Sequence, residues 1–297
     1  MALLNFARRE EATDQSALPG LLDGFSIEVM PRTAEKVEDF RAILPQGTRV
    51  YVAHIDGTPI EEMVRTAARL RAEGMEPMPH FPARIIPNRE TLDDWIARYR
   101  GEADVREALV LAGGVTEPVG AYHASTQLLE SGAFDGFRRL HVAGHPEGNR
   151  DIDPDGGTSN VSEALRWKQA FSEATDAEMA LVTQFAFDAE PVIRWVEGLR
   201  EAGITLPVHV GIAGPAKLQT LIKFAIACGV GPSLRVLQRR AADVRKLLLP
   251  YEPTEVAAEL ATYAAAHPEA GIEALHIFPL GGIAGGARWA QEHSESK

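Results

Sequence analysis

One carboxylate stands out by its surroundings. In the stretch FSIEVMPR, residues 25–32, an apolar run carries the lone acid Glu28 shortly before Pro31. A carboxyl group taken out of water without a partner tends to hold its proton. At the end of a strand that opens into a site, that property makes a proton donor usable near neutral pH. Pairing with an arginine, or solvation at a sheet edge, is the plainer alternative. Other polar side chains follow apolar runs in the same way: His54 and Asp56, His80 and Arg84, His145, Glu147, Asn149 and Arg150, then Thr183, Gln184 and Asp188, then Lys217. The three histidines raise the question of a metal. No H-x-H, H-E-x-x-H or cysteine pair occurs, so no metal is expected, and hydrogen bonding to a ligand or to backbone is the reading for each. The turn Ala112-Gly113-Gly114 has no bulky side chain, which lets backbone approach a flat or phosphorylated ligand, although an ordinary turn needs the same residues. GGIAGG at 281–286 lacks the spacing and downstream acid of a dinucleotide-binding fingerprint.

The elements that must position these groups alternate along the chain. Apolar, β-branched runs predict strands at 24–30, 48–54, 75–80, 107–112, 138–144, 179–185, 206–212 and 272–278. Helical periodicity predicts helices at 34–44, 58–73, 89–99, 120–131, 161–174, 189–202, 215–228, 233–247 and 253–266. Strands this continuously apolar, in eight βα units, indicate a closed parallel (βα)8 TIM-type barrel rather than an open doubly wound sheet. In that architecture the working face is formed by the C-terminal ends of the strands, where the polar residues above fall. No linker divides the chain, so residues 1–22 read as an N-terminal extension and 23–297 as one barrel domain. Trp167 and Phe171 read as packing, whereas Phe185 and Phe187 stand nearer the ligand face.

Composition excludes several classes. The 297 residues are 45% hydrophobic and 24% charged, ample for one large core. A formal net charge of −12 argues against nucleic-acid binding. The N-terminus does not resemble a signal peptide, and no run is long and apolar enough for a membrane span. The single cysteine, Cys228, sits in an apolar helix-like stretch and fits a core position in a reducing, cytoplasmic setting. Arg235, Arg239, Arg240, Arg245 and Lys246 form a basic helix, either a solvated face or an attractor of phosphates or a polyglutamate tail.

Taken in order, SIEVMPR, PHF (79–81), VLAGG (110–114), HAS (123–125), AGHPEGN (143–149), TQFAFD (183–188) and GIAGP (211–215) resemble the methylenetetrahydrofolate reductase family across about residues 23–280. The resemblance implies a flavoprotein oxidoreductase of one-carbon metabolism. FAD would lie across the strand ends, with a folate stacked on its ring and hydride passing between 5,10-methylenetetrahydrofolate and 5-methyltetrahydrofolate. By the same resemblance Glu28 is the acid, and Gln184, Phe187 and Leu218 face the substrate. His54, His80, Ala112, Gly113, Gly114, Ala124, His145, Glu147, Asn149 and Lys168 fall where FAD is held. NADH or NADPH is the implied electron partner, and oligomers are compatible with it.

The departures are specific. Ala112-Gly113-Gly114 stands where the family has R-G-D, removing an arginine and an acid beside the flavin. A carboxylate near the ring disfavours an anionic reduced flavin, so its loss should raise the reduction potential and favour methyltetrahydrofolate oxidation. Asp56 or Glu117 taking over the acid's place is the alternative. His145, Asn149, Leu218 and Gly282 replace a tyrosine, a histidine, an aromatic and an arginine of the family, which bears on NADH use and on the pterin. A non-catalytic or different-substrate folate- or flavin-binding relative is the competing reading.

Overall fold

The structure, a computed structural model, describes residues 14–227, 237 and 250–294. Eight strands close into one barrel in sequence order, every pair parallel: β1 Ser26–Val29, β2 Arg49–Val52, β3 Glu76–Pro82, β4 Glu107–Leu111, β5 Arg139–Gly144, β6 Glu178–Ala186, β7 Val208–Ala213 and β8 Ile272–Phe278. Each of the eight expected strands is present, and the closed barrel prevails over the open sheet.

Among the described residues the helices are α1 Leu18–Leu22, α2 Pro31–Ala34, α3 Ile60–Ala72, α4 Arg89–Ala103, α5 Ser125–Glu130, α6 Ser159–Ala174, α7 Ala189–Glu201, α8 Leu218–Ala227, α9 Thr254–Ala266 and α10 Ile283–Ser294. They bury apolar stripes against the outer face of the barrel. In α3 the stripe is Met63, Val64, Ala67 and Leu70, spaced for one helical face. Asn88 starts α4 by accepting from Thr91 N at 2.9 Å, and Asp188 starts α7 by accepting from Glu190 N at 3.1 Å. No helix among the described residues is long and apolar enough to cross a membrane.

Two expectations differ from what is seen. The run at 34–44 is not one helix: α2 ends at Ala34, and a single 3-10 turn follows at Phe40–Ala42. The Arg69 guanidinium draws out the carbonyls of Ala34, Val37 and Glu38, which a continuous helix would have used internally. The helix expected at 120–131 begins only at Ser125, because a side chain at Gly120 would run into the Pro87 carbonyl and the backbone there is docked on that loop. Within the N-terminal extension, Leu18, Leu21 and Leu22 of α1 are buried in the main core, with α1 packed on α9 and α10. Cys228 and the basic residues Arg235, Arg239, Arg240, Arg245 and Lys246 lie outside the described residues.

Candidate functional site at the barrel mouth

Side chains alternate between the helix layer and the barrel interior along each strand. On β1, Ile27 and Val29 join the outer core, which turns Ser26 and Glu28 inward. Glu28 sits beside Tyr51 in the β1–β2 register and is partly exposed at the mouth. Its Oε2 lies 3.3 Å from His80 Nε2 of β3. That contact is within ion-pair reach but off the angle of a hydrogen bond, leaving His80 Nε2 without a directed partner. No arginine or lysine among the described residues reaches Glu28 within ion-pair distance. Of the two plainer readings of the sequence, the arginine pair is absent among the described residues, and Glu28 is partly solvated.

Gln184 lies toward the C-terminal end of β6, at a register shift. The β6–β7 ladder slips between Val182 and Phe185, and Gln184 is exposed between buried Thr183 and Phe185. Such a bulge re-aims one side chain. The Thr183 hydroxyl fixes it, donating to Gln184 O at 2.8 Å and accepting from Gly211 N at 2.9 Å. A Cβ at Gly211 would lie 2.5 Å from Thr183 O, so the close approach requires glycine.

After β4 the turn Ala112–Gly114 folds beside the end of β3. Gly113 adopts φ +97, and a Cβ there would meet Pro82 Cβ at 3.0 Å. A Cβ at Gly114 would project into open space. Arg84 stitches the surrounding loops together: it bonds the carbonyls of His123 and Val115 at 3.1 and 3.0 Å and the Asp151 carboxylate at 2.5 Å. Ala124 is thereby held as the residue preceding α5, its N–H donating to Gln127 Oε1 at 3.1 Å.

The β5 end carries a buried cation. Lys168 of α6 is 4% exposed, and its Nζ donates to Ala143 O at 2.8 Å. Burial brings its pKa down to about 8. His145 follows β5, is largely enclosed, and is pushed down to about 4 by burial first and by the Lys168 charge second. Asn149 accepts from Asp151 N at 2.9 Å, and Glu147 is half-buried in the same loop.

Three further candidates, His54, Phe187 and Leu218, are buried. His54 faces α4: its ring lies 4.7 Å from Trp95, Nε2 is 3.0 Å from Thr58 O, and Nδ1 is buried without a partner. Phe187 and Leu218 are buried in a second apolar cluster with Phe185, Leu221 and Tyr251. Asp56 and Glu117, the alternative replacements for the missing acid, are exposed.

Sequence reasoning missed the layer below the mouth. Tyr51, His141, His209 and His276 are all buried inside the barrel. Each stands amid apolar residues in a strand (RVYV, RLHVAG, VHVGIA, IEALHIF), and matching the inward parity of the strands is the signal that finds them. Among the described residues, no three of His, Cys, Asp or Glu are grouped to hold a metal ion.

A closed, all-parallel barrel with a polar mouth defines the molecule as a (βα)8 barrel protein. No protein-family profile matches the sequence. Among solved structures, an uncharacterized protein from Clostridium thermocellum that "binds two copies of 5-methyl-5,6,7,8-tetrahydrofolic acid" is similar over 92% of this chain and 97% of that chain, with a TM-score of 0.59 and 11% identity. A conserved Enterococcus faecalis protein of unknown function matches 92% of this chain and 66% of its own, with a TM-score of 0.44 and 12% identity. The multifunctional pyruvate carboxylase of Rhizobium etli matches 95% of this chain over 26% of its own, with a TM-score of 0.43 and 10% identity. At 11% identity the first likeness speaks for the shared barrel, and the other two are too distant to bear on the site.

Proposed function

We propose that this barrel binds a tetrahydrofolate at its mouth and, as an FAD-dependent oxidoreductase of the methylenetetrahydrofolate reductase type, interconverts 5,10-methylenetetrahydrofolate and 5-methyltetrahydrofolate. The observations that support this reading are a partly exposed Glu28 near the C-terminal end of β1, with no arginine or lysine pair among the described residues, and an exposed Gln184 at the bulge near the C-terminal end of β6. The described likeness of the Clostridium thermocellum barrel, which binds 5-methyltetrahydrofolate, supports the choice of ligand.

Two features fit FAD. The side-chain-free turn at Gly113–Gly114 leaves room for a flat ring against the backbone. Among the described residues the buried Lys168 ammonium has one acceptor for its three N–H groups, a state that favours a nearby anionic oxygen. Ala112–Gly114, Ala124, His145 and Lys168 would hold the cofactor, with His54, Glu147 and Asn149 as further contacts. FAD, when bound, supplies hydride chemistry to the folate one-carbon unit. Glu28 gives a proton to the folate nitrogen that must become a leaving group when the five-membered ring opens, and takes it back in the reverse direction. Gln184 orients the pterin through its amide, which both donates and accepts. The missing acid at Ala112–Gly114 favours methyltetrahydrofolate oxidation.

Replacing Glu28 by glutamine tests the acid directly. Glu28→Gln should retain bound flavin and folate and lose at least a hundredfold in folate turnover, within the usual range for removing a general acid. Turnover close to wild type would exclude Glu28 as the acid. A folate-binding relative without catalysis would instead bind folate equally in both proteins and turn over in neither.

A further inference from the structure

The interior below the mouth breaks the usual rule for this fold. Barrel interiors are filled mainly by branched apolar side chains. Here Tyr51, His141, His209 and His276 are each no more than 2% exposed, with His80 above them. Their contacts run from one end of the barrel to the other. At the mouth, Glu28 Oε2 is 3.3 Å from His80 Nε2. The Tyr51 ring lies 6.0 Å from that of His80 and stacks at 4.2 Å on His276, whose Nδ1 is 2.9 Å from Ser26 Oγ. The Tyr51 hydroxyl is hydrogen-bonded to His141 Nδ1. The rings of His141 and His209 meet edge to face at 4.6 Å. His209 Nε2 reaches Glu273 Oε2 at 3.1 Å, and the Glu273 side chain, near the start of β8, is 51% exposed at the closed end.

Four ring nitrogens in this column are buried without a hydrogen-bond partner: His80 Nε2, His141 Nε2, His209 Nδ1 and His276 Nε2. Leaving such a group unpaired is costly. Folds tolerate several together where they carry function or hold ordered water. We propose that the column Glu273–His209–His141–Tyr51–His80 is a proton path that joins solvent at the closed end of the barrel to Glu28 at the mouth, with ordered water bridging the two links that lack a direct hydrogen bond, His209 to His141 and Tyr51 to His80. The proposal rests on the folate reading only for what Glu28 protonates.

The transfer is balanced at every step. A neutral imidazole takes a proton on one nitrogen and releases one from the other, and Tyr51 accepts one as it gives its own. The net result is one proton moved from solvent beside Glu273 to a Glu28 carboxylate that has just donated, with nothing oxidised or reduced. A planar ligand stacked over the mouth would close the direct route from water to Glu28. The charged groups facing the column are Arg49, Arg139 and Glu107, with Arg49 Nε 2.5 Å from Glu107 Oε2. Burial above all favours neutral His141 and His209, outweighing the Glu273 carboxylate that pulls the other way on His209, and a neutral ring both accepts and donates.

The variants Glu273→Gln and His141→Gln separate a proton path from a structural role, because an amide keeps a hydrogen bond but does not relay a proton. If the path operates, each variant slows folate turnover five- to twentyfold at unchanged KM and raises the solvent isotope effect. Turnover within twofold of wild type in either folded variant overturns the path. A second readout needs no substrate: in 15N-histidine spectra of the ligand-free protein, Glu273→Gln should shift the ring nitrogens of both His209 and His141. A shift confined to His209 overturns the path. Propagated shifts in a protein that turns over no folate would leave the path standing and remove the folate reading.

Discussion

Acidification should unfold this barrel earlier and more steeply than carboxylate titration alone would. His141 and His276 are fully buried and held well below the ordinary histidine range, first by burial and then by neighbouring charge. His145 is pushed to about 4. A histidine whose folded pKa is depressed stays neutral in the native chain while its unfolded form takes a proton near pH 6.5. Its stabilising effect is therefore complete above that value and is lost as pH falls toward the folded pKa. From pH 6 to pH 5 each such group removes about 1.2 kcal/mol, so His141 and His276 together remove about 2.4 kcal/mol. His145 adds up to about 1.2 kcal/mol more, less for the part of its ring that water reaches. Against a total stability of roughly 5–15 kcal/mol, a loss of about 3 kcal/mol is readily measured. Glu107, whose pKa is lowered, contributes only at more acid pH, so the two windows separate. Urea denaturation followed by tryptophan fluorescence at pH 7.5, 6 and 5 gives the slope. In His276→Phe the slope should fall by about 1.2 kcal/mol per pH unit whatever the variant's absolute stability. A wild-type loss below about 1 kcal/mol between pH 6 and 5, or a slope unchanged in His276→Phe, would refute the assignment of these rings as neutral and buried.

Two further outcomes bear on the cofactor. Gly114→Asp places a carboxylate in the open space beside the turn. At ~5 Å and an effective dielectric of ~20 it acts with about 3 kcal/mol, which lowers a two-electron flavin potential by about 65 mV in a redox titration; an unchanged potential would disconnect this turn from the flavin. Lys168→Met should weaken flavin retention at pH 7 by roughly tenfold or more. Because burial brings the Lys168 pKa to about 8, wild-type retention should fall as pH rises past that value while the variant's stays flat, as read by flavin release on dialysis.

Much of the architecture was legible because the strands are buried on both faces and announce themselves as apolar runs, and because barrel geometry sends strand ends to one face. That logic located Glu28, His80 and Gln184. It did not show that Glu28 and His80 face each other, since that depends on register across β1, β2 and β3. The exposure of Gln184 depends on a bulge whose cause, the Thr183 hydroxyl, is a tertiary bond to Gly211. The interior histidines were hidden by their flanks: LHV, VHV and LHI look like core strands with one odd residue until strand parity is aligned across the barrel. The 34–44 stretch misled because the partner that unwinds it, Arg69, lies on α3. Helix α10 went unforeseen because its GGIAGG start reads as loop, yet Ile283, Gly286 and Ala287 pack inward.

The central claim, that this mouth holds flavin and methyltetrahydrofolate in hydride contact, is tested most directly by one anaerobic titration. The purified protein, supplied with FAD, should show a flavin spectrum that bleaches stoichiometrically as 5-methyltetrahydrofolate is added. A protein that retains no flavin, or a bound flavin whose spectrum saturating methyltetrahydrofolate leaves oxidised, would contradict it.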